Sequence, residues 1–108
     1  MREIKFKAWD KKYKKMYHGG NIRIALAFPD ENIEFMQYTG LKDKNGKEIY
    51  EGDVVKISWH DKGQNKQEQL SEIKWNGNGY GNVFNNQRYL IEIIGNIYEN
   101  PKLLEVNP

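Results

Sequence analysis

Met36-Gln37-Tyr38-Thr39-Gly40-Leu41-Lys42-Asp43-Lys44-Asn45-Gly46-Lys47-Glu48-Ile49-Tyr50-Glu51-Gly52-Asp53-Val54-Val55-Lys56-Ile57 holds two turns, an aromatic–aliphatic pair and the start of a strand within one run. Asn45-Gly46 is a strong tight-turn signal because both residues tolerate positive φ. Glu51-Gly52-Asp53 reads as a second turn. From Asp53 to Trp59 the residues alternate, with Val55, Ile57 and Trp59 facing one way and Val54, Lys56 and Ser58 the other. Period two is the mark of a half-buried strand. Short strands joined by tight turns therefore set the fold class.

The same period recurs on both sides of this run. Upstream, Ile4, Phe6 and Ala8 share one face, so that face can be buried while Lys5 and Lys7 point to water. Asp10 to Lys15 breaks the alternation and reads as an exposed loop, and Met16-Tyr17-His18 resumes a strand before Gly19-Gly20 interrupts it. Ile22, Ile24, Leu26 and Phe28 again share a strand face. Pro29-Asp30-Glu31-Asn32 is a turn by composition: proline fixes φ, and Asp or Asn bonds the local backbone. Ile33 and Phe35 then share a face opposite Met36 and Tyr38.

Downstream, His60 to Lys66 is a polar loop, and Ile73 with Trp75 belongs to a further strand that ends in the glycine-rich stretch Asn76 to Asn82. Val83-Phe84 is a short strand, Asn85-Asn86-Gln87 a turn, and Tyr89 to Ile94 a strand with apolar residues on both faces. Gly95 inside that pattern suggests a bulge. Asn100-Pro101 reads as a helix cap with proline at the first helical position, giving one turn through Leu103-Leu104. No segment of about ten residues or more keeps a 3.6-residue period, so helices are a minor component. Several short strands with turns at this spacing predict a small barrel or sandwich.

Bulk properties agree. A chain of 108 residues is the size of one domain. Its aromatic content of 13% argues against disorder, since disordered chains are poor in large rings. No apolar run approaches the ~20 residues of a membrane helix, and the N-terminus lacks the continuous apolar core of a signal peptide. There is no cysteine, which excludes disulfides, thiolate nucleophiles and Cys-based zinc sites. These features predict a cytoplasmic protein without membrane attachment. The net charge of +2 is unevenly placed: residues 1–23 carry eight basic and two acidic groups, against nine basic and thirteen acidic on the rest. Such asymmetry permits a polyanion partner on the N-terminal part, or attraction between neighbouring copies.

Together with Ile4-Lys5-Phe6-Lys7-Ala8-Trp9-Asp10 before it and Ile94-Gly95-Asn96-Ile97-Tyr98-Glu99-Asn100-Pro101 after it, the Met36–Ile57 run resembles the YopX family of phage and prophage proteins. The resemblance implies a mainly-β, all-β fold class: an SH3-like small barrel behind an N-terminal β-hairpin portion, with at most one short helical turn near the C-terminus. It implies a hairpin portion over 1–40 and a barrel portion over 41–108, joined as one compact unit. It places the protein in the cytoplasm of a host cell. It brings no biochemical reaction with it.

Candidate chemistry is sparse. Gly77-Asn78-Gly79-Tyr80-Gly81 lacks the following helix and the Gly-Lys-Ser or Gly-Lys-Thr that a phosphate-binding loop needs, so it reads as a turn or bulge. His18 and His60 are the only histidines, and each reads as a surface residue. Glu48, Glu51 and Asp53 could form an acid/base pair or a cation site, but Asp53 as the cap of the turn after Gly52 is the simpler reading. Trp59, Trp75, Tyr50 and Tyr98 could line a peptide groove as aromatics do in SH3 domains, yet Trp59 and Trp75 lie in phase with aliphatic neighbours and read first as core.

The strongest candidate is the loop Lys11, Lys12, Tyr13, Lys14 and Lys15, flanked by Trp9 and Tyr17. Lysines neutralise phosphates and exposed rings stack on unpaired bases. A solvated loop that blunts strand pairing at an edge accounts for the same residues. Trp9 fits the core as well as a binding face. The expectation is a non-enzymatic module that binds a protein partner or associates with itself, with nucleic-acid binding through Lys11–Lys15 as the alternative. No cofactor, metal, membrane or small-molecule substrate is implied.

Overall fold

The structure, a computed structural model, describes residues 4–19, 22–27, 31–75 and 88–105. Its strands are β1 (Phe6–Asp10), β2 (Lys15–Tyr17), β3 (Ile33–Lys42), β4 (Glu48–Tyr50), β5 (Asp53–His60), β6 (Lys66–Glu72) and β7 (Leu90–Asn96). A short helix α1 spans Ile22–Ala27, and a 3-10 turn spans Pro101–Leu104. The glycine-rich stretch, Val83-Phe84 and Asn85–Gln87 lie outside the described residues.

All described strand pairs are antiparallel, in two sheets of order β2-β1-β3-β4 and β6-β5-β7. The long strand β3 pairs with β1 along its first half and with β4 along its second, with a register shift between Tyr38 and Lys42. Thr39 occupies that shift: its hydroxyl donates to the Ile49 carbonyl at 2.7 Å and accepts the Leu41 N–H at 3.1 Å. A bulge of this kind bends the strand and increases its twist. The sheet curls accordingly, and the strands form a half-barrel.

Two apolar clusters hold the strands together. Ile49, Val55, Ile57, Ile73 and Ile91 form the main core, with Leu41, Trp59, Tyr89 and Ile93 packed against it. The period-two phase that places Val55 and Ile57 inward is thus the real one. Trp59 is half-buried at the rim, edge-on to Tyr89 with ring centroids 5.7 Å apart. Met36, Tyr38 and Tyr50 form the second cluster with Met16 and Tyr98, and Trp9, only 8% exposed, lies 6.5 Å from the Tyr98 ring. Trp9 therefore belongs to the core.

Several sequence expectations need correction. Ile22–Ala27 is a helix, not a strand, and so adds a second short helical piece to the one near the C-terminus. Alanine, leucine and arginine favour helix, and Ile22 and Leu26 satisfy helical spacing as well as period two, an ambiguity inherent in short apolar runs. Trp75 is 57% exposed rather than core. Strand β6, exposed from Lys66 to Leu70, carries no alternation and went unread. At the start of β1 and just before it, Ile4 and Phe6 are exposed, whereas Lys5 and Lys7 are half-buried over tyrosine rings. Val54, assigned to the outer face, is fully buried. Its neighbour across the pair is Gly95, where an added Cβ would stand 2.6 Å from Leu103 Cδ1, so the 3-10 turn covers that face. The register shift at Gly95 is the expected bulge.

Candidate functional site

The lysine loop is the tip of the β1–β2 hairpin. Asp10 Oδ1 accepts the N–H groups of Lys12 and Tyr13 at 2.9 and 3.1 Å, the Asx geometry that fixes a tight loop. Lys14 takes a left-handed φ of 52° to complete it. All five residues from Lys11 to Lys15 are exposed, and Tyr13 is 71% exposed. Their charges are partly engaged locally: Lys11 Nζ lies 3.1 Å from Glu34, while Lys12 and Lys15 sit over the Tyr13 and Tyr17 rings at 5.3 and 5.2 Å. With Trp9 buried, the tip offers one exposed ring among its lysines.

A larger feature lies where β1 and α1 face β4, β5 and β7. This open cleft has a volume of about 870 Å³. One wall is apolar, built from Ile4, Phe6, Ile22 and Leu26, of which Ile4 and Leu26 are 78% and 56% exposed. Lys5, Lys7, Lys47, Glu48, Tyr50, Asp53 and His18 also line the cleft. Lys5, just before β1, and Lys7 on it lie over the Tyr38 and Tyr50 rings, which the pairing of β3 and β4 sets 5.5 Å apart.

The charges are graded by their partners. Lys5 Nζ donates to Glu48 Oε2 at 2.6 Å, and the Tyr50 hydroxyl donates to Glu48 Oε1 at 3.4 Å. The Lys5 bond holds the Glu48 carboxyl below its ordinary range, against the effect of burial. Lys7 Nζ stands 4.4 Å above the Tyr50 ring, close enough for a cation–π contact. Burial pushes the Asp53 carboxyl up, opposed by the Tyr50 N–H, bonded at 2.8 Å, and by the Lys7 charge. Burial also raises the Tyr50 phenol, with the Glu48 charge acting in the same direction. Asp53 thus caps the Tyr50–Asp53 turn, and Glu48 is clamped by Lys5.

Glu51 is not among the residues that line the cleft, so the carboxylate trio does not converge there. The four aromatics do not form one groove: Tyr50 and Tyr98 share the second cluster, Trp59 pairs with Tyr89, and Trp75 is exposed. His18 and His60 are exposed, and no group of three His, Cys, Asp or Glu among the described residues is placed to hold a metal ion. No described helix is long and apolar enough to cross a membrane. The cleft escaped sequence reading in part because Ile22 and Leu26 of its apolar wall lie on a helix that scans as a strand. The one signal for it was the alternation of Lys5 and Lys7 on a strand whose neighbours carry tyrosines.

Curled antiparallel sheets closed over two small apolar clusters define a mainly-β domain. The chain belongs to the YopX protein family, which matches residues 20–105 and so begins after the β1–β2 hairpin. It is similar to the crystal structure of protein EF1440 from Enterococcus faecalis, with a TM-score of 0.65 and 25% identity over 96% of this chain and 99% of that one. No curated protein matches the chain.

Proposed function

We infer that the protein is a phage- or prophage-encoded, non-catalytic module, built on an SH3-like barrel, that works in the host cytoplasm by binding another protein. The observation that carries this reading is the cleft of about 870 Å³, whose wall keeps Ile4 and Leu26 largely exposed beside the half-buried Lys7. Exposed apolar side chains gathered at one concavity mark an interaction site. A non-catalytic role is supported by the engagement of Glu48 with Lys5 and of Asp53 with the Tyr50 N–H, which leaves neither carboxylate positioned as a free base.

Affinity purification from infected cells, with and without nuclease, tests this. A protein captured by the wild type should survive nuclease and be lost with the pair Ile4→Glu and Leu26→Glu. Capture that disappears with nuclease would remove the reading and favour the alternative, in which the exposed Tyr13 and the lysines of the hairpin tip hold nucleic acid.

A further inference from the structure

We propose that β6 is a self-association edge, through which two copies pair antiparallel about a two-fold axis at Gln69 and join their three-stranded sheets into one. Strand β6 forms one margin of the β6-β5-β7 sheet, and no described strand covers its outer side. Lys66 to Leu70 are exposed, with the Lys66 and Glu68 side chains at 60% and 44%. Among the described residues this edge is open, and an open edge of this length is a template for another strand.

The backbone fixes which residues offer hydrogen bonds there. In antiparallel pairs, hydrogen-bonded and non-hydrogen-bonded positions alternate. On the β5–β6 register, the bonded positions include Asp61 with Asn65, where the Asp61 N–H donates at 2.9 Å, and Asp53 with Ile73, where the Ile73 N–H donates at 2.8 Å. Gln67, Gln69 and Ser71 therefore bond inward to β5. Lys66, Glu68, Leu70 and Glu72 present their N–H and C=O groups to the open side. A second copy of β6 must place these four residues opposite one another, which restricts the possible registers.

Charge selects among them. A two-fold axis at Gln69 sets Lys66 opposite the partner's Glu72 at both ends and sets the exposed Leu70 of each copy diagonal to the other, within reach across a sheet. A slip of one residue in the axis, to Glu68, places Glu68 opposite itself. A slip the other way, to Leu70, places Glu68 opposite Glu72 and Lys66 opposite Lys74. Like charges directly opposite destabilise a pair. In the favoured register Glu68 faces the partner's Leu70 rather than a like charge, and its own Lys66 lies 3.1 Å away. The occupant that matches this edge in length, hydrogen-bond phase and charge is the edge itself. The inference stands apart from the cleft, which β6 does not line.

Sedimentation velocity over a concentration series of the full chain provides the test. The wild type should pass from monomer to dimer. Lys66→Glu alone, or Glu72→Lys alone, should weaken association by roughly ten- to a hundredfold, because each reversal acts twice across the axis. An equimolar mixture of the two variants should restore dimers, since each places complementary charges opposite the other. Melting curves establish that both variants fold, and Leu70→Pro, whose lost N–H faces the open edge, should also be monomeric. A wild type that stays monomeric overturns the proposal. So does a dimer indifferent to both reversals, or binding at this edge only by an extended peptide of another protein. Each of those results leaves the cleft reading intact, because Ile4→Glu with Leu26→Glu should not alter the dimer.

Discussion

The carboxylate of Asp43 accepts the Ile93 backbone N–H at 3.0 Å across fifty positions of sequence. Its other oxygen accepts the N–H groups of Asn45 and Lys47, each at 2.9 Å. One buried side chain thus shapes the β3–β4 turn and fastens it to β7, assisted by the Lys44 N–H to the Ile91 carbonyl at 2.8 Å. Burial alone pushes this carboxyl up, but the three N–H donors and the Lys47 charge outweigh it and leave it below the ordinary aspartate value.

Because that folded-state value is depressed, the stabilisation is present above the unfolded aspartate pKa and is lost as pH falls through the folded one. Asp43→Asn turns an NH₂ toward a backbone N–H on one side or the other and should cost about 1.5–3 kcal/mol near neutral pH, the scale of hydrogen bonds to a charged group. The deficit should shrink in acid. Asp53 has the opposite sign: its value is raised, chiefly by burial, so its contribution is full below the unfolded pKa and lost as pH rises through the folded one. Asp53→Asn keeps an acceptor for the Tyr50 N–H and should not weaken the protein at neutral pH. Urea midpoints measured from acid to neutral pH check both signs.

Gly46 and Gly52 separate backbone strain from packing. Both have positive φ, 82° and 96°. A Cβ at Gly46 meets nothing within 4 Å, whereas one at Gly52 stands 3.1 Å from the Tyr98 ring and 3.3 Å from Met36 Cε. Gly46→Val should cost about 1–2 kcal/mol from the left-handed backbone alone. Gly52→Ala should cost about 1–3 kcal/mol more than Gly46→Ala, since it also overpacks the second cluster. Thermal unfolding of the three variants measures the difference.

Trp9 and Trp59 should rank in the reverse of their sequence-level order. Trp9→Ala empties a site 8% exposed and should cost about 3–5 kcal/mol. Trp59, half-buried at the rim, should cost less on the same substitution. Equal losses in chemical denaturation would contradict the rim placement.

Replacing Lys11, Lys12, Lys14 and Lys15 with Gln should leave the melting temperature unchanged, because all four lie outside both clusters. If the hairpin tip binds nucleic acid, log affinity falls with log salt by roughly 0.7–0.9 per phosphate contact. The cleft account expects no binding to single- or double-stranded DNA or RNA at low salt, measured by fluorescence anisotropy.

Much of the fold was legible in local pattern. The turn at Asn45-Gly46, the inward phase of Val55 and Ile57, the bulge at Gly95 and the turn begun by Pro101 each follow from a short-range rule that the tertiary structure does not override. What escaped depends on contacts between distant segments. Val54 is buried because the 3-10 turn folds over it, and Lys5 and Lys7 lie over tyrosines because β3 and β4 bring those rings beneath β1. Strand β6 has no periodicity to read, since most of it faces water on both sides and only its pairing with β5 defines it. The hairpin tip was legible because a loop of exposed lysines needs no tertiary context. The cleft was not, because it gathers residues from the N-terminal stretch, from Lys47 to Asp53 and from β7, which only the tertiary fold brings together.

The central claim is that the cleft is where this domain meets its partner. Amide-resolved NMR of the isotope-labelled protein, titrated with the protein captured by affinity purification, tests it most directly. The account predicts the largest shifts at Ile4, Lys7, Leu26 and Tyr50, all of which line the cleft. Largest shifts confined to Lys11–Lys15, with the cleft unmoved, would contradict it.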